Sequence, residues 1–297
     1  MIKMFDRDGK LIFTFSPPGT TPSNRRPVYI AVDASGRVYV VDNYNHVIDV
    51  FSPDGKFIDA IISRDLTLSE FVASRNNGSV PEGTEYYYNN IDKQVYYRLP
   101  GAELESVEAT EREPWTPLGL RFDSKGNLLV TDLTAGKHSV LIYPQEVLNG
   151  SWLNFDPQIK EFGSQGTENG QHSFPNSVTS DSRGNFYVSD GNNGRISYWN
   201  AEYQYETFFG FGSTENALNL PRGMWMDGKD RLHVADAVGQ FIRVYDTSNS
   251  EQGFLYSFGK FGISDGEFNY PTDICIDISG RLYIADRENN RIQIWSY

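Results

Sequence analysis

The sequence has 297 residues, a length that allows one large all-β domain or two domains of average size. Hydrophobic residues make up 39% and aromatic residues 14% of the chain, which is typical of a folded globule and not of a disordered segment. The net charge of −13, with no stretch that gathers Lys and Arg, argues against a nucleic-acid partner. No long apolar run predicts insertion into a membrane.

The first fifteen residues, MIKMFDRDGKLIFTF, read as two strands joined by a turn. They match the later segment IDVFSPDGKFIDAI, whose two strands are the third and fourth strands of a repeat. The N-terminal segment therefore lacks a first and a second strand of its own. We expect residues 10–16 to supply the fourth strand that the last repeat lacks.

Five segments along the chain share one pattern. Each has a proline, an Asp six residues later, a turn, an apolar strand, and a second Asp nine residues after the first. A third strand follows each segment, and a fourth strand follows all but the last. Four short antiparallel strands that repeat every 40 to 50 residues or so predict the blades of a β-propeller. The segments are Pro27 to Asp42, Pro117 to Asp132, Pro175 to Asp190, Pro221 to Asp236 and Pro271 to Asp286.

The spacing of these segments predicts one further blade. The second Asp moves by 90 positions from Asp42 to Asp132, whereas the later steps are 58, 46 and 50. A blade should therefore lie within residues 66–113, where EYYYNN, KQVYYRL and ELESVEA predict a second, a third and a fourth strand. Its first strand is expected at Glu70–Ser74.

The expected fold is all-β: a six-bladed β-propeller of four-stranded antiparallel blades, forming one domain over residues 1–297. The ring would be closed by the N-terminal strand joining the C-terminal blade, which leaves no open sheet edge. Either Met1–Phe5 or Arg291–Trp295 would fill the third strand of the closing blade. The predicted blades span approximately residues 26–64, 66–113, 115–163, 174–211, 220–260, and 270–297 together with 10–16.

The segment YPTDICIDISGRLYIADRENNRIQIW resembles an NHL repeat, and so does FPNSVTSDSRGNFYVSDGNNGRISYW. The Gly-rich connectors FGSQGTENGQHSFP and FGKFGISDGEFNYP fit the same family. The resemblance covers nearly the whole chain and implies a six-bladed propeller. It implies no single function, because the members include protein-binding and RNA-binding modules and metal-dependent lyases, and related six-bladed families include lactonases.

The recurrent polar residues are interpreted as structural. The repeated aspartates stand at turns, where a carboxylate can accept hydrogen bonds from backbone N–H groups. Arg195 and Arg291 each follow an Asp by five residues, and we expect each to pair with it inside its blade. Cys275, the single cysteine, lies between two isoleucines and is interpreted as a core residue.

Binding residues are expected where the first strand of each blade begins, because propellers usually bind at the rim of the central channel. The residues that follow the five prolines break the uniformity of the repeat there. The candidates for contacts at the rim are Tyr29, Asn176, Arg222 and Asp273. Three tyrosines of the inserted segment are further binding candidates, with packing between blades as the alternative. They are Tyr86, Tyr87 and Tyr97.

The predicted function is a non-catalytic binding or scaffold module that mediates protein–protein interaction or assembly. No catalytic residue, cofactor or metal site is predicted, because the four histidines stand in unlike settings. The alternative is a metal-dependent, lactonase-like hydrolase or lyase with a site at the central channel. We expect a protein partner or self-assembly, no nucleic acid and no membrane insertion, and we leave a small-molecule ligand open. The expected location is extracellular or the cell envelope, with the cytoplasm as the alternative.

Overall fold

A computed structural model describes residues 1–17, 25–89, 94–107, 115–149, 159–213, 216–248 and 253–296. The predicted blade ends at residues 113 and 297 lie outside the described residues. The chain divides into two compact units: unit 1 comprises Met1–Leu128 and Ile142–Lys160, and unit 2 comprises Leu129–Leu141 and Glu161–Tyr297. Strands dominate both units, which confirms the predicted all-β class.

Unit 1 begins with a hairpin of β1 (Ile2–Phe5) and β2 (Leu11–Phe15). A five-stranded sheet follows in chain order, with β3 (Pro27–Val32), β4 (Val38–Asp42), β5 (Val47–Phe51), β6 (Phe57–Ser63) and β7 (Leu66–Thr67). Helix α1 spans Leu68–Arg75. A three-stranded sheet comes next, with β8 (Glu85–Asn89), β9 (Gln94–Arg98) and β10 (Glu105–Val107).

A four-stranded sheet follows, with β11 (Pro117–Phe122), β12 (Leu128–Asp132), β13 (Ser139–Tyr143) and β14 (Lys160–Phe162). Helix α2 (Gln145–Asn149) separates β13 from β14 in the sequence. In the described ranges, no helix has both the length and the apolar character needed to cross a bilayer.

Unit 2 continues with β15 (Ser164–Gln165), which pairs in parallel with β16 (Gln171–His172). Two four-stranded antiparallel sheets follow. The first contains β17 (Pro175–Ser180), β18 (Phe186–Asp190), β19 (Arg195–Trp199) and β20 (Tyr205–Phe209), and the second contains β21 (Pro221–Met226), β22 (Arg231–Asp236), β23 (Phe241–Asp246) and β24 (Gly253–Phe258). A three-stranded sheet comes last, with β25 (Pro271–Ile276), β26 (Leu282–Asp286) and β27 (Arg291–Trp295).

An aspartate carboxylate holds the turn between the first and second strands in each of the last three sheets of unit 2. Asp181 Oδ1 accepts hydrogen bonds from the backbone N–H of Arg183 at 3.0 Å and of Asn185 at 2.9 Å. Gly184 completes this turn with a φ of 87°, a left-handed conformation that favours a residue without Cβ. Asp227 and Asp277 hold the equivalent turns in the same way. The structural role predicted for these aspartates is confirmed.

The core of unit 2 lies between neighbouring sheets. Tyr187 and Ile196 of one sheet pack with Met224, Leu232 and Val234 of the next, and all five are fully buried. A second cluster surrounds Ile274 and Ile284, and the ring of Trp295 packs on it, 4.9 Å from the ring of Phe258. Burial of apolar surface contributes about 25 cal/mol per Å², so these clusters are the main source of stability.

The inserted segment differs from its prediction, because Glu70–Ser74 forms part of helix α1 and not a strand. Thr67 caps the helix: its Oγ1 accepts a hydrogen bond from the N–H of Glu70 at 3.3 Å, and Glu70 Oε2 accepts one from the N–H of Thr67 at 3.0 Å. This capping box satisfies N–H groups that the start of a helix otherwise leaves open, so the local sequence favours a helix here. The other three predicted strands are present as β8, β9 and β10.

Closure of a ring by the N-terminal strand is not confirmed. Within the described residues β2 pairs with β1, and the last sheet has three strands, the third of which is Arg291–Trp295. The N-terminal hairpin has its own local cause, since Asp6 Oδ1 accepts hydrogen bonds from the N–H of Asp8 and of Lys10 at 3.0 and 2.9 Å. In unit 1 the ring of Phe15 packs at 4.9 Å from that of Phe51.

The interpretation of Cys275 as a core residue is wrong, because this side chain is exposed. Side chains alternate between the two faces of a strand. Its neighbour Ile274 is buried in the core, so Cys275 faces the opposite way. An apolar run of residues therefore did not mean burial on both faces.

Candidate functional site

We define the connector end of unit 2 as the end of its sheets at which the Gly-rich connectors 163–174, 210–220 and 259–270 join the following first strands. Neighbouring strands run in opposite directions, so the turns between second and third strands lie at the same end. The predicted residues Asn176, Arg222 and Asp273 lie near the starts of β17, β21 and β25, and therefore at the connector end.

Asn176 and Arg222 form one polar network. Arg222 Nη1 donates to Asn176 Oδ1 at 2.7 Å, and Arg222 Nη2 donates to the hydroxyl of Tyr270 at 3.1 Å. Asn176 is fully buried, and its Nδ2 donates to the carbonyl oxygens of Phe174 at 3.1 Å and Pro221 at 3.3 Å. The structure thus fixes the guanidinium group by hydrogen bonds on two sides, as a preformed contact point would require.

Asp273 lies against the strand that carries Arg222. A Cβ atom added to Gly223 would lie 2.0 Å from Asp273 Oδ1, so only glycine leaves room for the carboxylate here. The same Oδ1 accepts a hydrogen bond from the N–H of Ile274 at 2.9 Å. Three of the four predicted rim residues are therefore brought together on β17, β21 and β25.

Two aromatic residues at the connector end adopt left-handed backbone conformations, Phe174 with a φ of 63° and Tyr270 with a φ of 60°. Such conformations cost about 1 to 3 kcal/mol for a residue with a side chain and persist only where the surroundings hold them. The N–H of Tyr270 donates to Gln240 Oε1 at 2.7 Å. The guanidinium carbons of Arg222 and Arg287 lie 5.8 and 5.4 Å from the centre of the Tyr270 ring, within cation–π range.

The connectors also expose large apolar side chains. Phe211 is 65%, Phe261 68% and Ile263 77% exposed, and the ring of Phe211 lies 5.9 Å from that of Phe208. Val238, in the turn between β22 and β23, is exposed at the same end. Sequence reasoning missed these residues and Tyr270, although apolar residues inside the Gly-rich connectors FGFG and FGKFGI were a visible signal.

The other predicted binding residues belong to unit 1. Tyr29 lies in β3 opposite Val41 and is partly exposed. Tyr97 is buried, packs on Phe71 and donates its hydroxyl to Glu105 Oε2 at 2.5 Å, so it serves the core of the inserted segment. Tyr86 is partly buried against Phe57.

Tyr87 belongs to a surface cluster with two charged neighbours. Its hydroxyl donates to Glu85 Oε2 at 2.6 Å and accepts from Arg98 Nη2 at 2.8 Å. The guanidinium of Arg98 also pairs with Glu85. Of the three predicted tyrosines, Tyr87 is the one whose hydroxyl lies in a solvent-exposed group of polar partners.

The structure brings two of the histidines together. His172 Nδ1 lies 3.1 Å from the carbonyl oxygen of His138, whose own Nδ1 accepts from the N–H of Phe174 at 3.3 Å. Burial lowers the pKa of His172 to about 4, so its ring is neutral near pH 7. In the part of the chain that the structure describes, no group of three or more His, Cys, Asp or Glu side chains could hold a metal ion.

The last sheet, β25 to β27, lies within residues 268–295, and this segment matches the family model of the NHL repeat. The resemblance to NHL-repeat β-propellers is confirmed. A comparison with curated proteins found no match.

Solved structures share the fold of this chain at low sequence identity. A protein of unknown function from Bacteroides caccae has a TM-score of 0.56 at 9% identity, covering 95% of this chain and 77% of that one. Catalytically inactive virginiamycin B lyase from Staphylococcus aureus with quinupristin has a TM-score of 0.51 at 15% identity, covering 95% and 87%. The Dos1 propeller has a TM-score of 0.52 at 12% identity, covering 95% and 70%. These similarities concern the fold alone.

Proposed function

We propose that this protein is a non-catalytic binding module and that the connector end of unit 2 contacts a protein partner. The observation that carries the proposal is the exposure of Phe211, Phe261 and Ile263 at the same end of the sheets as the hydrogen-bonded guanidinium of Arg222. Exposed apolar groups rimmed by polar residues are characteristic of protein interaction sites. Aromatic residues and Arg are the residue types most enriched in such interfaces.

The chemistry of this surface indicates the kind of partner. The apolar connector residues would bury their side chains against an apolar patch, while Arg222 and Asp273 would fix its orientation through polar contacts. The chain carries a net charge of −13, so a basic partner would be attracted at long range. An extracellular or cell-envelope location, six blades and closure of the ring by residues 10–16 remain part of this proposal. Six sheets of three to five strands among the described residues support the blade count.

The test compares a variant of the connector end with a control at the opposite end. The variant carries Phe211→Ser, Phe261→Ser and Ile263→Ser. The control is Ile278→Ser, because Ile278 is fully exposed in the turn between β25 and β26. All four side chains are exposed, so each variant should fold with a stability close to that of the wild type, within about 1 kcal/mol.

Each purified protein is used for affinity capture from a cell extract with quantitative mass spectrometry, and captured proteins are then titrated in purified form. We expect the connector-end variant to bind the partner at least about tenfold more weakly, since central apolar residues dominate interface energies. The control should bind as the wild type does. Equal binding by all three proteins would show that the partner surface lies elsewhere.

The alternative, a metal-dependent hydrolase or lyase, also stays a prediction, and calcium addition and chelation test it. A bound functional ion raises the melting temperature by mass action. We expect the melting temperature to respond to neither treatment.

A further inference from the structure

Unit 1 contains a cavity of about 370 Å³ between β6, α1 and the start of β4. This volume lies within the range of about 300 to 1,000 Å³ that is typical of small-molecule sites. Apolar side chains form much of its wall, among them Ile58, Ile61 and Val80. Two carboxylates, Asp59 and Glu70, line the same cavity.

The two carboxylate oxygens of Glu70 differ in their hydrogen bonding. Its Oε2 accepts hydrogen bonds from the N–H of Thr67 at 3.0 Å and from the Thr67 hydroxyl at 3.1 Å. Its Oε1 is buried and has no hydrogen-bond partner among the described residues, and the whole residue is only 7% exposed. A buried acceptor without a donor costs about 1 to 3 kcal/mol, and more if it is charged. A donor from a bound molecule would remove that cost.

Asp59 adds a second carboxylate beside the start of α1. Its Oδ1 accepts hydrogen bonds from the N–H of Ala60 at 2.8 Å and of Ser69 at 3.1 Å. Burial raises the pKa of Asp59 to about 6. Burial, together with the charges of Asp59 and Asp65, raises the pKa of Glu70 to about 7. The ionised form of the pair is therefore costly, and a positive charge between the two groups would stabilise it.

Three further titratable groups lie near the pair. Arg37 also lines the cavity, but its Nε donates to Asp33 Oδ2 at 2.6 Å and its Nη1 donates to the carbonyl oxygen of Leu148 at 2.9 Å. Tyr39 and Tyr86 have pKa values raised by burial and stay uncharged near pH 7. The cavity thus combines a surplus of negative charge with apolar walls.

We propose that this cavity binds a small organic compound with a primary ammonium group and an apolar body. The ammonium donates to Glu70 Oε1 and to the Asp59 carboxylate, and the body packs against Ile58, Ile61 and Val80. Calcium fits the site less well, because it takes six to eight oxygen ligands, whereas Ile58, Ile61 and Val80 contribute hydrocarbon and one oxygen of each carboxylate already accepts hydrogen bonds. The proposal is independent of the partner surface proposed for unit 2.

The test uses the full chain and three primary amines of increasing apolar size: isobutylamine, phenethylamine and tryptamine. 2-Phenylethanol and 3-phenylpropionate serve as neutral and anionic analogues of phenethylamine. Binding is measured by isothermal titration calorimetry near pH 8, where the carboxylates are ionised and the amines are charged. We expect at least one amine to bind with a stoichiometry of one, and both analogues to bind at least about tenfold more weakly, since a charged hydrogen bond is lost.

Two variants locate the binding. Glu70→Gln keeps an N3 side chain that can complete the capping box but removes the carboxylate, so it should weaken amine binding at least about tenfold. Asp65→Asn removes a nearby negative charge outside the cavity and should leave binding within about twofold. Circular dichroism and thermal unfolding confirm that both variants fold. Absence of binding by all three amines, binding of the alcohol as tight as that of the amine, or unchanged binding by Glu70→Gln would each overturn the proposal. Competition by calcium at low millimolar concentration would overturn it in favour of a metal site.

Discussion

Buried carboxylates are hydrogen-bonded to different extents in two regions of the molecule, the repeats of unit 2 and the inserted segment of unit 1. Asp286 is fully buried and accepts hydrogen bonds from Asn269, Asn289 and Arg291. Burial alone would raise the pKa of Asp286, but these hydrogen bonds lower it. Glu70 is similarly buried, has one oxygen without a hydrogen-bond partner in the part of the chain that the structure describes, and has a raised pKa.

This difference distinguishes carboxylates that stabilise the fold from a carboxylate that can bind a ligand. Both oxygens of the Asp286 carboxylate accept hydrogen bonds from its blade, so this carboxylate adds stability and offers little to a ligand. In the inserted segment, Glu70 Oε1 has no hydrogen-bond donor among the described residues. This oxygen adds no stability but can accept a hydrogen bond from a ligand. A buried carboxylate therefore indicates a binding site only when its own fold does not satisfy it.

The largest expected effect comes from breaking a satisfied carboxylate. Asp190→Ala removes the partner of Arg195, whose Nε donates to Asp190 Oδ2 at 2.8 Å, and the acceptor of the Ser173 N–H at 2.6 Å. Arg195 is buried, so we expect a loss of about 3 to 5 kcal/mol in the free energy of unfolding, measured by urea denaturation at pH 7. Asp265→Ala, at a fully exposed side chain, should change it by less than about 0.5 kcal/mol. Similar losses in both variants would refute the distinction.

An intermediate effect of opposite sign is expected from the unsatisfied carboxylate. The pKa of Glu70 is about 7 in the folded state against an ordinary value of 4.5, so the folded state binds the extra proton and stability falls as pH rises between these values. Glu70→Gln should therefore unfold with a free energy about 1 to 3 kcal/mol above that of the wild type at pH 8. The difference should disappear near pH 4.5. Urea denaturation across this range checks the slope, and a variant less stable than the wild type at pH 8 would contradict the raised pKa.

The smallest expected effect tests whether repeat positions are interchangeable. His233 Nε2 lies 3.3 Å from Asp227 Oδ2, where the equivalent tyrosines Tyr187 and Tyr283 donate to Asp181 and Asp277 at 3.2 and 3.1 Å. His233→Tyr should therefore keep the hydrogen bond and change the free energy of unfolding by less than about 1 kcal/mol. A loss above about 2 kcal/mol in thermal or urea unfolding would show that this blade is packed differently from its neighbours.

Much of the fold could be predicted because the repeat encodes it locally. The aspartates, the turn glycines and the pairing of Arg195 with Asp190 and of Arg291 with Asp286 all lie within a few residues of one another, so their spacing was informative. Helix α1 was also encoded locally, by the Thr67–Glu70 capping box, but the expectation of a repeated blade outweighed that signal.

The candidate sites could be predicted only in part, because their chemistry depends on distant contacts. Asn176 and Arg222 were found as departures from a symmetric frame, and they are hydrogen-bonded across 46 positions of sequence. The unpartnered oxygen of Glu70 could not be predicted, because it depends on which described residues around the cavity offer a hydrogen-bond donor. The exposure of Phe211 and Phe261 likewise depends on the conformation of the connectors, which the sequence pattern does not define.

The outward-facing thiol on β25 makes the protein convenient to label. Cys275 is the single cysteine of the sequence and is exposed, so a maleimide fluorophore would attach at one defined position. That position is two residues from Asp273, so the dye would report by a change in emission or anisotropy when a partner docks nearby. Under oxidising conditions the same thiol would let two copies of the protein form an intermolecular disulfide. Buffers for such measurements should therefore contain a reductant until the dye is added.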